Sequence, residues 1–496
     1  MKRNVLANWI GQFVVLICGL ILPRYANDHI GQTQLGIWDF GWSMVAYLSM
    51  LNIGVGSSIN RYVARFRATS NWSDLNRIVS SCACVFLSAA GIGILITIAL
   101  VPTLSAQTFG DHLGDARWMM LMLGLACATD SCFTVYNGVI TGYERYDLCV
   151  KIEIFTNLVR LGAIVGLLTA GHGLPAMATA VFLIALLEGS LKFLVAHRVC
   201  PSLHLSITSV TRRSLTDVVI FGLKSFMGNI ARITLYQGNS LLIFAFLGPL
   251  DLAVFARALA LVGRADQVVF QFARVLSPAA SGAEAREDSK SLTEVVLVGS
   301  RYSVLIALPM VLVLTILDRA LMRVWMGPEF ALLPILPILA VGHLAALSQW
   351  GPLSILVGMN RHGAPALATL VAGVLSIALS AVLLSVFHAG LTGVALSIGI
   401  SLTLATLLVT PVLLSRAIGL PVLTYAGQVL SSVRLVIPFG LWLVLARILL
   451  NDNSLLQLIV GLGGGAVVLL LSYWKLLMPQ SIKTKLLAVA CLGKRA

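Results

Sequence analysis

The residues able to do chemistry in this chain are polar and charged side chains set inside long apolar stretches. One stretch carries Arg257, Arg264, Gln267, Gln271 and Arg274, which fall within about 100° of arc at helical spacing. The stretch before it adds Lys224, Asn229, Arg232, Tyr236 and Asn239. Near the N-terminus, Asp39, Ser43, Ser57 and Arg61 lie within about 40° of one another on an ideal helix. The first stretch contributes Asn4, Asn8, Gln12 and, beyond Pro23, Arg24. A guanidinium is a planar fork suited to phosphate oxygens and stays charged at any relevant pH, so these faces suit an oxyanion. Asp39, Asp130 and Asp266 are the carboxylates placed to take a proton or sodium ion.

Bland readings stand beside each of these. Arg24, Arg61 and Arg274 lie near the ends of their stretches, where snorkelling to the interface serves equally well. Arg232, Arg257 and Arg264 lie deeper, where a charge costs from about 2.5 kcal/mol upward on insertion scales and needs a partner or a wet cavity. On an ideal helix Asp266 points away from Arg257 and Arg264. Glu153, Asn157 and Arg160 share a face, and Glu188 with Lys192 forms an i, i+4 pair; both sets read as structural. Asp130, with Thr134, Asn137 and Thr141 beside it, reads equally as an ion site or a hydrogen-bonded structural aspartate. His343 reads as a packing residue, and nothing points to a metal or other cofactor.

These faces need a membrane around them. Of 496 residues 58% are hydrophobic and 11% charged, against ~25% charged in ordinary soluble domains. The mean hydropathy is +0.94, which excludes a soluble globular protein. Fourteen windows of spanning length start near residues 5, 36, 78, 117, 152, 174, 218, 251, 297, 330, 364, 390, 428 and 454. With the N-terminus in the cytoplasm, the even loops and both tails collect most of the basic residues, among them Arg65, Arg67, Arg77, Lys192, Arg198, Arg212, Arg213, Lys475, Lys483 and Lys485. The positive-inside rule therefore expects both termini in the cytoplasm. It also assigns much of the net charge of +14 to surfaces facing anionic lipid rather than nucleic acid. Eight cysteines without a C-x-x-C pair read as small hydrophobes. Lys2 and Arg3 before a long apolar run, with no small-x-small cleavage site, read as a retained first span.

Sliding the chain on itself by 216 to 217 positions sets Leu356-Val357-Gly358-Met359-Asn360-Arg361 on Ile140-Thr141-Gly142-Tyr143-Glu144-Arg145. The same offset pairs Leu75 with Leu292, Trp38 with Phe255, and Gly173-Leu174 with Gly390-Leu391. Six spans per repeat is an even number, so both halves enter the membrane in the same direction, related by an axis along its normal. The expected fold is an all-α integral membrane protein of about fourteen transmembrane helices, in two six-helix lobes related by a pseudo-two-fold axis, plus two extra C-terminal helices. The expected divisions are 1–205, 206–420, 421–478 for the two extra helices, and a basic cytoplasmic tail at 479–496. Gly11, Gly19 and Pro23 in span 1, and Gly222, Gly228 and Gly238 in span 7, are expected hinges or close-packing positions.

The stretch Leu35-Gly36-Ile37-Trp38, through Leu51-Asn52-Ile53-Gly54-Val55-Gly56, to Asn60-Arg61-Tyr62-Val63-Ala64 resembles the polysaccharide flippase family. The repeated Gly-x-x-Arg after spans 4 and 10 is similar too. That family belongs to the multidrug, oligosaccharidyl-lipid and polysaccharide exporter superfamily, and the resemblance runs through nearly the whole chain. It implies a bacterial inner-membrane flippase that moves an undecaprenyl-pyrophosphate-linked oligosaccharide to the periplasmic leaflet by alternating access, for O-antigen, capsule or exopolysaccharide assembly. Related lipid II flippases line a central cavity with arginines from helices 1, 2 and 8, and Arg24, Arg61, Arg257 and Arg264 occupy comparable spans here. The resemblance also implies a lipid-tail groove on spans 13 and 14, with a polymerase and chain-length regulator as possible partners.

Four rivals are weighed against it, of which a purely structural scaffold would not explain matched polar faces in both repeats. A multidrug and toxin extruder favours acids where this chain has arginines, and a lipid II flippase for peptidoglycan shares the fold. A membrane glycan polymerase or glycosyltransferase needs a sizeable outer loop or an acidic pair, whereas the first outer loop, Asn27 to Gln34, offers Asp28 and His29. Enzyme activity is not expected. No G-x-x-x-x-G-K-[ST] sequence occurs, so an ion gradient, the membrane potential or consumption of product must supply the energy.

Overall fold

The computed structural model describes the backbone of residues 2–52, 54–361 and 363–476, and their side chains apart from those of 2–10, 57, 58, 221, 223–229 and 475–476. Among these residues every regular element is helical. Nothing else satisfies the backbone within a single lipid-solvated segment.

The first repeat contains α1 (Lys2–Ser49), α2 (Gly56–Ala68), α3 (Trp72–Leu100), α4 (Ala106–Phe109), α5 (Leu113–Gly142), α6 (Tyr146–Thr169) and α7 (Leu174–Val199). The second contains α8 (Arg212–Leu247), α9 (Pro249–Ala273), α10 (Leu276–Ala285), α11 (Ser289–Ile316), α12 (Asp318–Trp325), α13 (Ile335–Ser348), α14 (Trp350–Gly358), α15 (Gly363–Ser385) and α16 (Gly390–Ile418). Three more follow: α17 (Val422–Leu430), α18 (Ile437–Leu449) and α19 (Ser454–Leu476).

The repeat read from a few side chains is written throughout the backbone. Left-handed φ values occur at Gly31 and Gly248, Ser70 and Glu287, Gly110 and Gly327, Glu144 and Asn360, and Gly171 and His388, each pair separated by the repeat offset. The helix caps repeat as well. Asn71 accepts from the amide of Asp74 at the start of α3, and Asp288 accepts from that of Ser291 at the start of α11. Just before these caps the Asn71 amide donates to the Phe66 carbonyl at 3.0 Å, and the Asp288 amide to Ala283 at 3.1 Å. After α5 and α14 the amides of Arg145 and Arg361 return to Ile140 and Leu356. The Gly-x-x-Arg motif is thus a helix stop whose third residue turns left-handed.

Each of the fourteen windows overlaps helix, though those starting near 36, 330 and 428 are interrupted. Ten described helices are long and apolar enough to cross a membrane by length and composition, and α17 with α18 makes an eleventh as a bent pair at 44°. One of the ten, Gly11–Asn52, holds two windows across the non-helical Gly31. Neither α6 nor α9 is among them, and both carry charge along their length.

Two local expectations are corrected. The outer loop placed at Asn27 to Gln34 is helix on both sides of Gly31, whose φ of 78° lets the chain turn at one residue. Second, the polar face of span 2 is not continuous. The chain leaves the α-helix at Met50–Asn52 and Gly54 takes a φ of 65°, so Asp39 and Ser43 belong to α1 while Ser57 and Arg61 belong to α2. Pro23, Gly11 and Gly19 keep helical dihedrals, and a Cβ on Gly11 would meet the Val150 side chain of α6 at 2.7 Å, in keeping with the close-packing alternative.

The chain forms two compact units, Met1–Ala256 and Arg257–Ala496. In the first, a buried cluster joins Val63, Val79, Val139, Ile140 and Ala196 from α2, α3, α5 and α7. In the second, Ala280, Val296, Ile355, Leu356 and Leu414 make the matching cluster from α10, α11, α14 and α16. The tail at 479–496 lies outside the described residues.

Candidate functional site

α9 follows a single glycine, Gly248, whose left-handed φ of 92° ends α8, and from Arg257 onward it belongs to the second unit. Arg257 is 7% exposed, and Arg264 and Gln267 pair one helical turn apart, with Nη1 donating to Oε1 at 3.2 Å. Arg274 lies past the end of α9 rather than on it, and donates to Gln271 Oε1 at 3.4 Å. The polar face therefore survives, with its last arginine on the turn into α10.

Asp266 has a specific structural tie. Trp350, the first residue of α14, donates its indole N–H to Asp266 Oδ1 at 2.6 Å and packs edge-on against Phe270 at 4.8 Å. This clamp ties α9 to the start of α14. It also makes Asp266 a hydrogen-bond acceptor in this arrangement.

In the first unit, Arg24 pairs with Asp28 at 2.9 Å, both side chains being more than 40% exposed. Arg61 on α2 and Arg232 on α8 are exposed, while Asp39 is half-buried with Ser43 donating to its backbone carbonyl. Asn239 is fully buried, and its amide donates to Leu235 O of its own helix at 2.6 Å. The side chains of Lys224, Asn229, Asn4, Asn8 and Ser57 lie outside the described residues. His343 is buried and bonded to the Leu339 carbonyl, a packing residue as expected. The described cysteines are free thiols.

Sequence reasoning missed one assembly. Glu188 on α7 accepts from Lys192 at 2.7 Å and from Thr156 on α6 at 3.1 Å, with Arg160 Nη2 3.9 Å away. The two sets read as separate structural pairs are one group. Helical spacing within each helix shows each set but not their meeting.

The all-helical fold, built from two repeats, is shared with solved structures of the multidrug, oligosaccharidyl-lipid and polysaccharide exporter superfamily. An inward-facing multidrug-resistance transporter of that superfamily superimposes with a TM-score of 0.71 at 15% identity, covering 81% of this chain and 94% of that one. The lipid II flippase MurJ in an inward closed conformation gives 0.69 at 12% identity, covering 96% and 100%. An uncharacterized membrane protein, EpsK of Bacillus subtilis (strain 168), is 21% identical over 83% of each chain. The family model described as polysaccharide biosynthesis protein matches residues 39–333, and the chain belongs to that family. It is a multi-pass membrane protein that shares the fold of these transporters.

Proposed function

We propose that the protein flips an undecaprenyl-pyrophosphate-linked oligosaccharide from the cytoplasmic to the periplasmic leaflet of the bacterial inner membrane, by alternating access. The carrying observation is α9, a helix of spanning length that keeps Arg257 and Arg264, with Gln267 and Gln271, on one face. Arginines held in a water-filled cavity replace the hydration of a pyrophosphate, and amides serve sugar hydroxyls, while the polyprenyl tail stays in lipid. On this reading Arg24, Arg61 and Arg232 add to the cationic surface, with Lys224, Asn229, Asn239 and Arg274 as further candidates. The lobes that rock are 206–420 against 1–205, α17 to α19 offer the tail groove, and both termini are cytoplasmic. Asp39, Asp130 and Asp266 are the coupling candidates, and no catalytic step is required. A polysaccharide polymerase and a chain-length regulator are the proposed protein partners.

The test is translocation in proteoliposomes of a fluorescent undecaprenyl-pyrophosphate oligosaccharide, of lipid II and of a cationic dye. Movement of the oligosaccharide above empty vesicles supports the proposal. Movement of the dye alone assigns drug extrusion, and movement of lipid II alone assigns peptidoglycan precursor transport.

A further inference from the structure

The repeat supplies an internal control for the start of α11. In the first repeat the matching part of α3 holds a piece of its own chain. Asn76 donates to the Ser202 carbonyl at 2.9 Å and accepts from the His204 amide at 3.1 Å, and the Ser80 hydroxyl accepts from the Ser206 amide at 3.0 Å. The segment so held is the connection 200–211 between α7 and α8.

In the second repeat the matching connection shrinks to 419–421, which joins α16 directly to α17. At the offset of 217, Asn76 and Ser80 become Thr293 and Leu297. Thr293 returns its hydroxyl to the Ser289 carbonyl of its own helix at 2.8 Å. Where the first repeat lays its own backbone, α11 borders a groove of about 520 Å3, lined by Lys290, Thr293, Glu294, Leu297, Val298 and Arg301.

The lining changes character along the groove. Lys290, Glu294, Leu297 and Arg301 follow one face of α11 at helical spacing. Lys290 and Glu294 precede the apolar window that starts near 297, and Arg301 lies about 6 Å inside it, so the groove crosses the boundary between headgroups and hydrocarbon. Arg301 is half-buried, and its Nε donates to the Gln428 carbonyl of α17 at 3.1 Å. That bond fixes the guanidinium while using one of its five N–H donors. The matching residue of α3 is Cys84. Two cations and one carboxylate leave the groove one positive charge in excess. An occupant that balances it carries one negative charge, oxygens for a guanidinium, hydroxyls for Glu294 and Thr293, and an apolar part for Leu297 and Val298. A monoanionic phospholipid with a hydroxyl-bearing headgroup has all four. Free phosphate has no apolar part, and a zwitterionic headgroup has no net charge.

We propose that this groove binds a monoanionic phospholipid, with the phosphodiester at Arg301, the headgroup hydroxyls toward Glu294 and Thr293, and Lys290 closing the polar end. The first methylenes of the lipid lie against Leu297 and Val298. The bound lipid reinforces the seam between α11 and α17 that Arg301 already bridges. The site stands apart from the arginine face of α9, and lipid binding needs no transported substrate.

The test is native mass spectrometry of the full-length protein, titrated with phosphatidylglycerol and with phosphatidylethanolamine of the same acyl chains, with inorganic phosphate as competitor. One phosphatidylglycerol should bind roughly tenfold or more tightly than the zwitterionic lipid, and phosphate should not displace it. Arg301→Gln removes one charge-assisted contact and should weaken binding roughly tenfold or more. Val298→Trp, at an exposed position, fills the groove without changing charge and should also weaken it. Arg198→Gln removes an exposed cation from α7 and should leave it unchanged. Each variant is first verified as folded. Equal binding of the two lipids, displacement by phosphate, undiminished binding in Arg301→Gln or Val298→Trp, or an equal loss in Arg198→Gln overturns the inference. Because the readout uses no glycan, its failure leaves the flippase proposal standing, and failure to flip any glycan leaves the lipid site standing.

Discussion

Replacing Trp350 by Phe keeps a ring against Phe270 and removes one N–H. At an offset of 217 the first repeat already carries Phe133, so the fold accommodates the smaller ring. The lost contact is the 2.6 Å bond to Asp266 Oδ1. A hydrogen bond to an ionised acceptor contributes about 1.5–3 kcal/mol, and most of the aromatic pair, about 0.5–1.5 kcal/mol, is retained. The expected loss is therefore about 2 kcal/mol, with Asp266→Leu removing the same bond from the other side. Reversible unfolding in mixed micelles of a mild detergent and SDS, for both single variants and the double, gives the coupling directly. About 1.5–3 kcal/mol of coupling is expected. Additive single effects would refute the clamp as what ties α9 to α14.

Further predictions follow from the packing. A Cβ on Gly342 would sit 2.5 Å from Gly399 Cα, backbone against backbone where α13 crosses α16, so Gly342→Ala should lower the unfolding midpoint and cost about 1–3 kcal/mol. Gly162 on α6 has open space, and Gly162→Ala should be neutral or stabilising by up to about 1 kcal/mol in the same assay. Asn71→Ala and Asp288→Ala remove equivalent caps from α3 and α11 and should each cost about 1 kcal/mol, measured by the same unfolding. A cost at one cap alone would show that the two repeats are not equivalent there.

Much of the fold was legible because lipid imposes one rule on every span: twenty or so apolar residues in helix. Helices start several residues before the hydrophobic windows, at Trp72, Tyr146, Arg212 and Ser289, because polar residues at a membrane surface continue a helix without raising its hydropathy. The turn at Gly31 and the break at Met50 to Gly54 were not legible. A glycine in a helical pattern reads as packing until its dihedrals are seen, and an angle count on an ideal helix passes through a break unmarked. Asp266 shows the same limit. Its direction away from Arg257 and Arg264 follows from spacing, but Trp350, its partner, is distant in sequence. The meeting of Glu188 on α7 with Thr156 and Arg160 on α6 was hidden for the same reason, since spacing orders residues within one helix only.

The measurement that tests the central claim most directly is flipping of the fluorescent undecaprenyl-pyrophosphate oligosaccharide by wild type, Arg257→Ala and Arg264→Ala, each verified as folded. A matched glycolipid without the pyrophosphate serves as comparison. Losing one charge-assisted contact of about 1.5–3 kcal/mol should slow the pyrophosphate lipid roughly ten- to hundredfold and leave the neutral one little changed. Equal rates for all three proteins on the pyrophosphate lipid would contradict the claim that the arginine face of α9 carries the substrate.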